Sequence, residues 1–78
     1  MIFVVDAKYV DEYKISVVFS DGVSKIVNLK DDIFSDDREP MKHLRDIEYF
    51  KQVRYEPDIV SIAWDNGVDF EPSYLYNR

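Results

Sequence analysis

From Tyr13 to Leu29 the apolar residues fall mostly on odd positions. Tyr13, Ile15, Val17 and Phe19 come first, then Val23, Val27 and Leu29, while Lys14, Ser16, Ser20, Ser24 and Asn28 fall between them. A period of two places one set on one face of a pleated strand, so this segment predicts two strands with a shared apolar face, Val18 being the exception in the first of them. The break between them is Ser20-Asp21-Gly22, and parity decides its length. A two-residue Asp21-Gly22 loop pairs position 20 with 23 and sends the two apolar sets to opposite faces. A three-residue loop with Gly22 left-handed pairs 19 with 23 and unites them. The same pattern recurs on even positions near the C-terminus, where Val60, Ile62 and Trp64 precede Asp65-Asn66-Gly67 and Val68 and Phe70 follow it. A three-residue loop there sets Trp64 against Val68 and Ile62 against Phe70 on one face.

Residues 2–10 carry β-branched and aromatic side chains and predict a first strand that Asp11 and Glu12 turn. Between the hairpins, Asp31-Asp32-Ile33-Phe34-Ser35-Asp36-Asp37-Arg38-Glu39 reads as an acidic loop. Beyond it Met41, Leu44, Ile47 and Phe50 recur at spacings of three, a helical stripe. Asp36 or Asp37 is placed to cap that helix, with Pro40 in its first turn, where a missing N–H costs no hydrogen bond. Asp46 is placed to recap a second short stretch through Phe50. Val53 and Tyr55 resume extended alternation, Pro57-Asp58 turns the chain, and residues 71–76 form a terminal turn. The expected architecture is α+β, an antiparallel sheet of two hairpins plus flanking strands in the order β-β-β-α-β-β-β.

Composition narrows the functional classes. Seventy-eight residues make one domain, 1–78, with little stability to spare for a large enclosed site. Ten Lys and Arg against sixteen Asp and Glu leave a net charge of −6, which disfavours nucleic acid, because phosphate-backbone affinity comes from surplus cation. With no cysteine, disulfides, zinc fingers and thiol nucleophiles are excluded. The longest apolar run, Met1 to Val5, falls far short of a membrane span or a signal-peptide core, so the expected setting is the cytoplasm, with no membrane partner.

Candidate chemistry is sparse. The single histidine, His43, cannot assemble a transition-metal site alone and reads as a helix-surface residue. No serine sits in a nucleophile elbow. The acidic run fails as a calcium loop, since Ile33 and Phe34 occupy ligand positions and no central glycine is present. Gly22 and Gly67 are each explained by a turn, so no phosphate-binding loop remains and no cofactor is expected. Lys42, Arg45, Lys51 and Arg54 are interleaved with Glu39, Asp46 and Glu48 and read as a solvated helix face. Carboxylates facing a basic partner protein, exposed aromatics, and an unpaired strand edge that extends across a dimer or accepts a partner's strand are the remaining routes to function.

The run Tyr13-x-Ile15-x-Val17-x-Phe19-Ser20-Asp21-Gly22, the segments Val27-Asn28-Leu29 and Leu44-Arg45-Asp46, and the block Ile62-x-Trp64-x-Asn66-Gly67-x-Asp69-x-x-Pro72-x-x-Leu75-Tyr76 resemble the domain-of-unknown-function 2442 family of small bacterial proteins. The resemblance implies a compact α+β domain with no established activity and no catalytic residues to carry over. It also implies pairing with another small protein in a toxin–antitoxin-like arrangement. Within that block Asp69 has no turn to make, and it is expected to cap the tail. The expectation is therefore a non-enzymatic interaction module that binds a protein partner or itself, with Asp31, Asp32, Asp36, Asp37, Trp64 and Asp69 as partner-binding residues. The alternative is a small-molecule binder or minor enzyme with a shallow cleft near Trp64 and Asp69.

Overall fold

The computed structural model describes residues 1–78. The chain is α+β, with two three-stranded antiparallel sheets and four short helices. The first sheet holds β1 (Val4–Tyr9), β2 (Lys14–Phe19) and β3 (Ser24–Asn28) in that order. Helices α1 (Lys30–Phe34), α2 (Glu39–His43) and α3 (Ile47–Phe50) follow. The second sheet holds β4 (Arg54–Glu56), β5 (Ser61–Ala63) and β6 (Asp69–Phe70), and α4 (Pro72–Tyr76) closes the chain. The Val4 amide donates to the Val60 carbonyl at 2.9 Å and so joins the edge of the first sheet to the second.

Both hairpins have the three-residue loops that side-chain parity requires. In the first, the Phe19 amide donates to the Val23 carbonyl at 2.8 Å, Val17 faces Lys25 and Ile15 faces Val27. In the second, the Trp64 amide donates to the Val68 carbonyl at 2.9 Å and Ile62 faces Phe70. Gly22 and Gly67 are left-handed, with φ of +90° and +94°. Asp21 and Asn66 support these turns by accepting from the Val23 and Val68 amides.

The middle of the chain holds three short helices, of which the one capped by Asp46 is the expected second stretch. The start of the acidic run is itself helical, because Leu29 and Ile33, both fully buried, are one turn apart and are joined by the Ile33 amide on the Leu29 carbonyl at 3.0 Å. The stripe from Met41 to Phe50 is cut in two. Residues 44–46 tighten into three-residue turns, and Asp46 caps α3 by accepting the Glu48 amide at 3.1 Å. Neither Asp36 nor Asp37 caps α2, whose first flanking residue is Arg38 without a side-chain cap. Asp36 instead accepts the Arg38 amide, ahead of the helix.

One core joins the layers. Ile15, Val17, Phe19 and Val27 from the first sheet meet Ile33, Leu44 and Phe50 from the helices and Ile62, Trp64, Phe70 and Leu75 from the C-terminal half. Trp64 is 1% exposed, and its indole N–H donates to the Phe50 carbonyl at 3.0 Å. Ser61, the one buried polar residue, donates its hydroxyl to the Phe70 carbonyl.

Gly67→Val is expected to lower stability by about 1–2 kcal/mol. A Cβ at Gly67 would meet nothing within 4 Å, so the loss comes from the backbone conformation alone and not from crowding. Leu44→Ala, at a fully buried position, is expected to cost about 2–5 kcal/mol. Urea midpoints for both variants check the two values, and an unchanged midpoint for Gly67→Val would contradict the turn geometry.

Candidate functional site

The acids of residues 31–37 divide into those the fold consumes and those it leaves on the surface. Asp32 is consumed. Its side chain is 10% exposed and accepts from the Tyr74 hydroxyl and from the Arg78 guanidinium, whose Nη2 lies at 2.6 Å and Nε at 3.0 Å. The clasp is reinforced by Lys25, whose ammonium donates at 2.8 Å to each of the Tyr76 and Arg78 carbonyls, and by Tyr76, whose hydroxyl donates to Asp21 at 2.6 Å. Asp32 therefore fastens α4 to α1. The hydrogen bond to Asp32, with burial and the Asp32 charge adding to it, raises the Tyr74 phenol above its ordinary value of 10.0.

Asp36 is held locally. Both of its oxygens accept from Arg38, with Nη2 at 2.5 Å, a two-pronged pair that lowers the carboxyl to about 2. The pair lies at the surface, since the Arg38 side chain is 79% exposed. Asp37 is 88% exposed and lies 3.4 Å from Arg45, whose guanidinium also donates to the Ile33, Phe34 and Asp36 carbonyls and so holds the 33–37 segment against the helices. Asp31 is exposed, and its carboxylate has no hydrogen-bond partner in the chain.

Asp69 was expected to cap the tail and does not. It lies in β6 opposite Ala63, is exposed, and makes no side-chain hydrogen bond, while α4 begins after Glu71 with Pro72 in its first turn. Proline supplies no N–H there, which removes one of the donors that a cap would satisfy. Asp69 instead lines a shallow cleft of about 290 Å³ with Arg38, Pro40, Met41, Asn66, Gly67 and Val68. A second groove, sharing Met41, is lined by Asp32, Ser35, Asp36, Asp37, Phe70 and Tyr74. Asn66 ties the β5–β6 turn to α2 through its amide on the Pro40 carbonyl at 3.1 Å.

The fold thus gathers Asp36, Asp37 and Asp69 around one apolar residue, Met41, although the first two lie more than thirty positions from the third. Asp31 and Trp64 line neither groove. Trp64 lies beneath the turn as a core residue, so it offers no surface anchor. Arg38 and Met41 were not singled out in the sequence because nothing near them signals the cleft: it exists only once the β5–β6 turn packs against α2. His43 is exposed, with its ring stacked on Tyr49 at a centroid distance of 3.8 Å. No group of three or more His, Asp or Glu side chains converges to hold a metal ion.

The fold and surface define a small α+β protein with dispersed surface carboxylates. The family model described as Protein of unknown function (DUF2442) matches residues 4–78, and the chain belongs to that family. No curated protein and no solved structure matches the chain significantly. No helix is long and apolar enough to cross a membrane.

The depressed carboxyl of Asp36 sets a pH window. Its folded value lies below the ordinary 3.8, so the contribution of the Asp36–Arg38 pair is present above that pH and lost as the pH falls through about 2. In carbon-detected NMR the Asp36 carboxyl is expected to titrate near 2, and Arg38→Ala is expected to move it up toward 3.8. An unmoved midpoint in the variant would show that the pair does not exist in solution.

Proposed function

We propose that the chain is a non-enzymatic protein-interaction module whose acidic cleft receives a basic segment of a protein partner. The observation that carries this reading is the Asp69 carboxylate, free of side-chain hydrogen bonds, in a cleft it shares with Pro40, Met41, Val68 and Arg38, whose own charge is already paired with Asp36, with the exposed Asp37 on the adjoining groove. Such a site suits a lysine or arginine: the methylene stem lies on the apolar floor and the cationic head reaches the carboxylate. The net charge of −6 adds long-range attraction for a cationic partner, which acts mainly on the association rate. A paired arrangement with another small protein, as the family resemblance implies, fits the same surface.

The small-molecule alternative has less support. At about 290 Å³ the cleft is at the lower limit of ligand-sized pockets and is open to solvent. Native mass spectrometry of freshly purified protein separates the two, since a retained metabolite favours the alternative.

The test is a fluorescence-anisotropy titration with a short unstructured peptide carrying lysine and arginine flanked by leucines, and with its glutamate counterpart. The basic peptide is expected to bind and the acidic one not. Asp69→Lys is expected to weaken binding at least tenfold without shifting the thermal midpoint, because Asp69 makes no side-chain bond within the fold. Equal binding of both peptides, or an Asp69→Lys variant with wild-type affinity, would refute the cleft as the binding surface.

A further inference from the structure

The β5–β6 turn contains the one Asn-Gly pair of the chain. Of the three asparagines, Asn28 is followed by Leu29 and Asn77 by Arg78, and only Asn66 is followed by glycine. A glycine at that place leaves its peptide nitrogen unshielded, so the nitrogen can attack the asparagine side-chain carbon, the step that makes such pairs thermally labile. The site is open to water: Gly67 is exposed, Asn66 is half-buried, and a Cβ placed on Gly67 would meet nothing within 4 Å. What restrains the pair is hydrogen bonding. The Gly67 amide donates to the Trp64 carbonyl at 3.1 Å, while the Asn66 side chain donates to the Pro40 carbonyl at 3.1 Å and accepts from the Val68 amide at 3.2 Å.

We infer that Asn66 is a site of spontaneous deamidation, held back by the docking of the β5–β6 turn on α2, and that the reaction, once it occurs, cuts that docking. Water is the only co-reactant. The Gly67 nitrogen gives its proton to solvent and bonds to Asn66 Cγ, the Cγ–Nδ2 bond breaks, and ammonia leaves with a proton returned by water. Water then opens the five-membered imide. Cleavage between the nitrogen and Cγ gives aspartate, and cleavage between the nitrogen and the main-chain carbonyl carbon gives an isoaspartyl linkage that runs through Cγ. Each of the three hydrogen bonds opposes the first step. The proton that must leave is the one held by the Trp64 carbonyl, and Cγ cannot swing onto the nitrogen while both arms of its amide are engaged by Pro40 and Val68. Reaction therefore waits for the turn to open, and its rate follows the open fraction.

Both products alter the cleft. The atom expelled, Nδ2, is the one that ties the turn to Pro40. Aspartate at this position sets a carboxylate oxygen toward the Pro40 carbonyl, acceptor against acceptor, in a cleft that already holds Asp69, and it adds one negative charge to a chain of net charge −6. The isoaspartyl linkage goes further, because it adds a carbon to the main chain of a loop whose three-residue length sets Trp64 against Val68. Opening thus permits reaction, and reaction favours opening. The conversion is irreversible and reinforces itself, and it does so whatever the cleft binds.

Peptide mapping by mass spectrometry of the full chain, aged at neutral pH and physiological temperature, provides the test, with a synthetic peptide of residues 61–70 and the Leu44→Ala chain aged alongside. Asn66 is expected to convert at least about tenfold faster in the peptide than in the wild-type chain, and faster in Leu44→Ala than in wild type, while Asn28 and Asn77 stay unconverted. Asn66→Asp reproduces the product of normal linkage. It is expected to unfold at a lower urea midpoint than wild type and to shift the NMR signals of Pro40 and Met41 along with those of Val68. Equal rates in the peptide and the wild-type chain, or in wild type and Leu44→Ala, overturn the gating by the fold. No conversion in the peptide or in Leu44→Ala overturns the site itself, and an Asn66→Asp chain with wild-type midpoint and signals overturns the loss of docking.

Discussion

The hydrogen bond from the Trp64 indole to the Phe50 carbonyl, with the Trp64 ring tilted on Phe50 at 5.4 Å and edge-on to Phe70 at 6.1 Å, is the contact on which the other layers rely. The strands of the second sheet are only two or three residues long, and helices of four or five residues are far below the length at which a helix persists in water. Each element is therefore held by what it covers. Trp64 supplies the largest buried side chain, reaches the end of α3 through its N–H, and directly follows β5 at the entry to the second hairpin loop. Tyr9 and Tyr13 extend the same aromatic cluster to the first sheet through edge-on contacts with Phe50.

With so small a core, the charged residues take on structural work that larger proteins assign to apolar packing. Arg45 spans the 33–37 segment and Arg54 bridges Glu56 and Asp65 across the second sheet. The acidic balance of the chain is thus partly an inventory of fastenings. What remains after them is unevenly distributed: Asp69 and the exposed Asp37 flank the Met41 grooves, while the β3 edge carries no carboxylate of its own. The molecule consequently presents two chemically different surfaces, one bearing exposed carboxylates and one an unpaired strand edge.

Much of this was legible in the residues. Odd-numbered apolar positions from Tyr13 to Leu29 and even-numbered ones from Val60 to Phe70 fixed the register of both hairpins, because a one-residue slip would have mixed core with solvent. The helical segment was readable from Met41 to Phe50, including its division at Asp46, but not at its start. Leu29 and Ile33 lie one helical turn apart, yet Leu29 also ends a strand alternation, and local periodicity cannot weigh the two. The candidate site was half visible: the acids were evident, but their sorting was not. Asp32 meets Tyr74 and Arg78 more than forty positions away, and Asp69 comes to line a cleft with Arg38 only once the β5–β6 turn packs against α2. Such partners leave no trace in spacing.

The clasp that joins Asp21, Lys25 and Asp32 to Tyr74, Tyr76 and Arg78 also bears on the order in which the chain organises itself. The hairpins close between near neighbours and need no distant partner, whereas the clasp connects residues 42 to 55 positions apart. Its loop-closure entropy is recovered only when the intervening helices and second sheet are in place. The clasp bonds are therefore the ones least supported by local structure, and they hold in place the helix that covers Leu75 and the edge of Phe19, so the integrity of the core rests in part on charges at the surface.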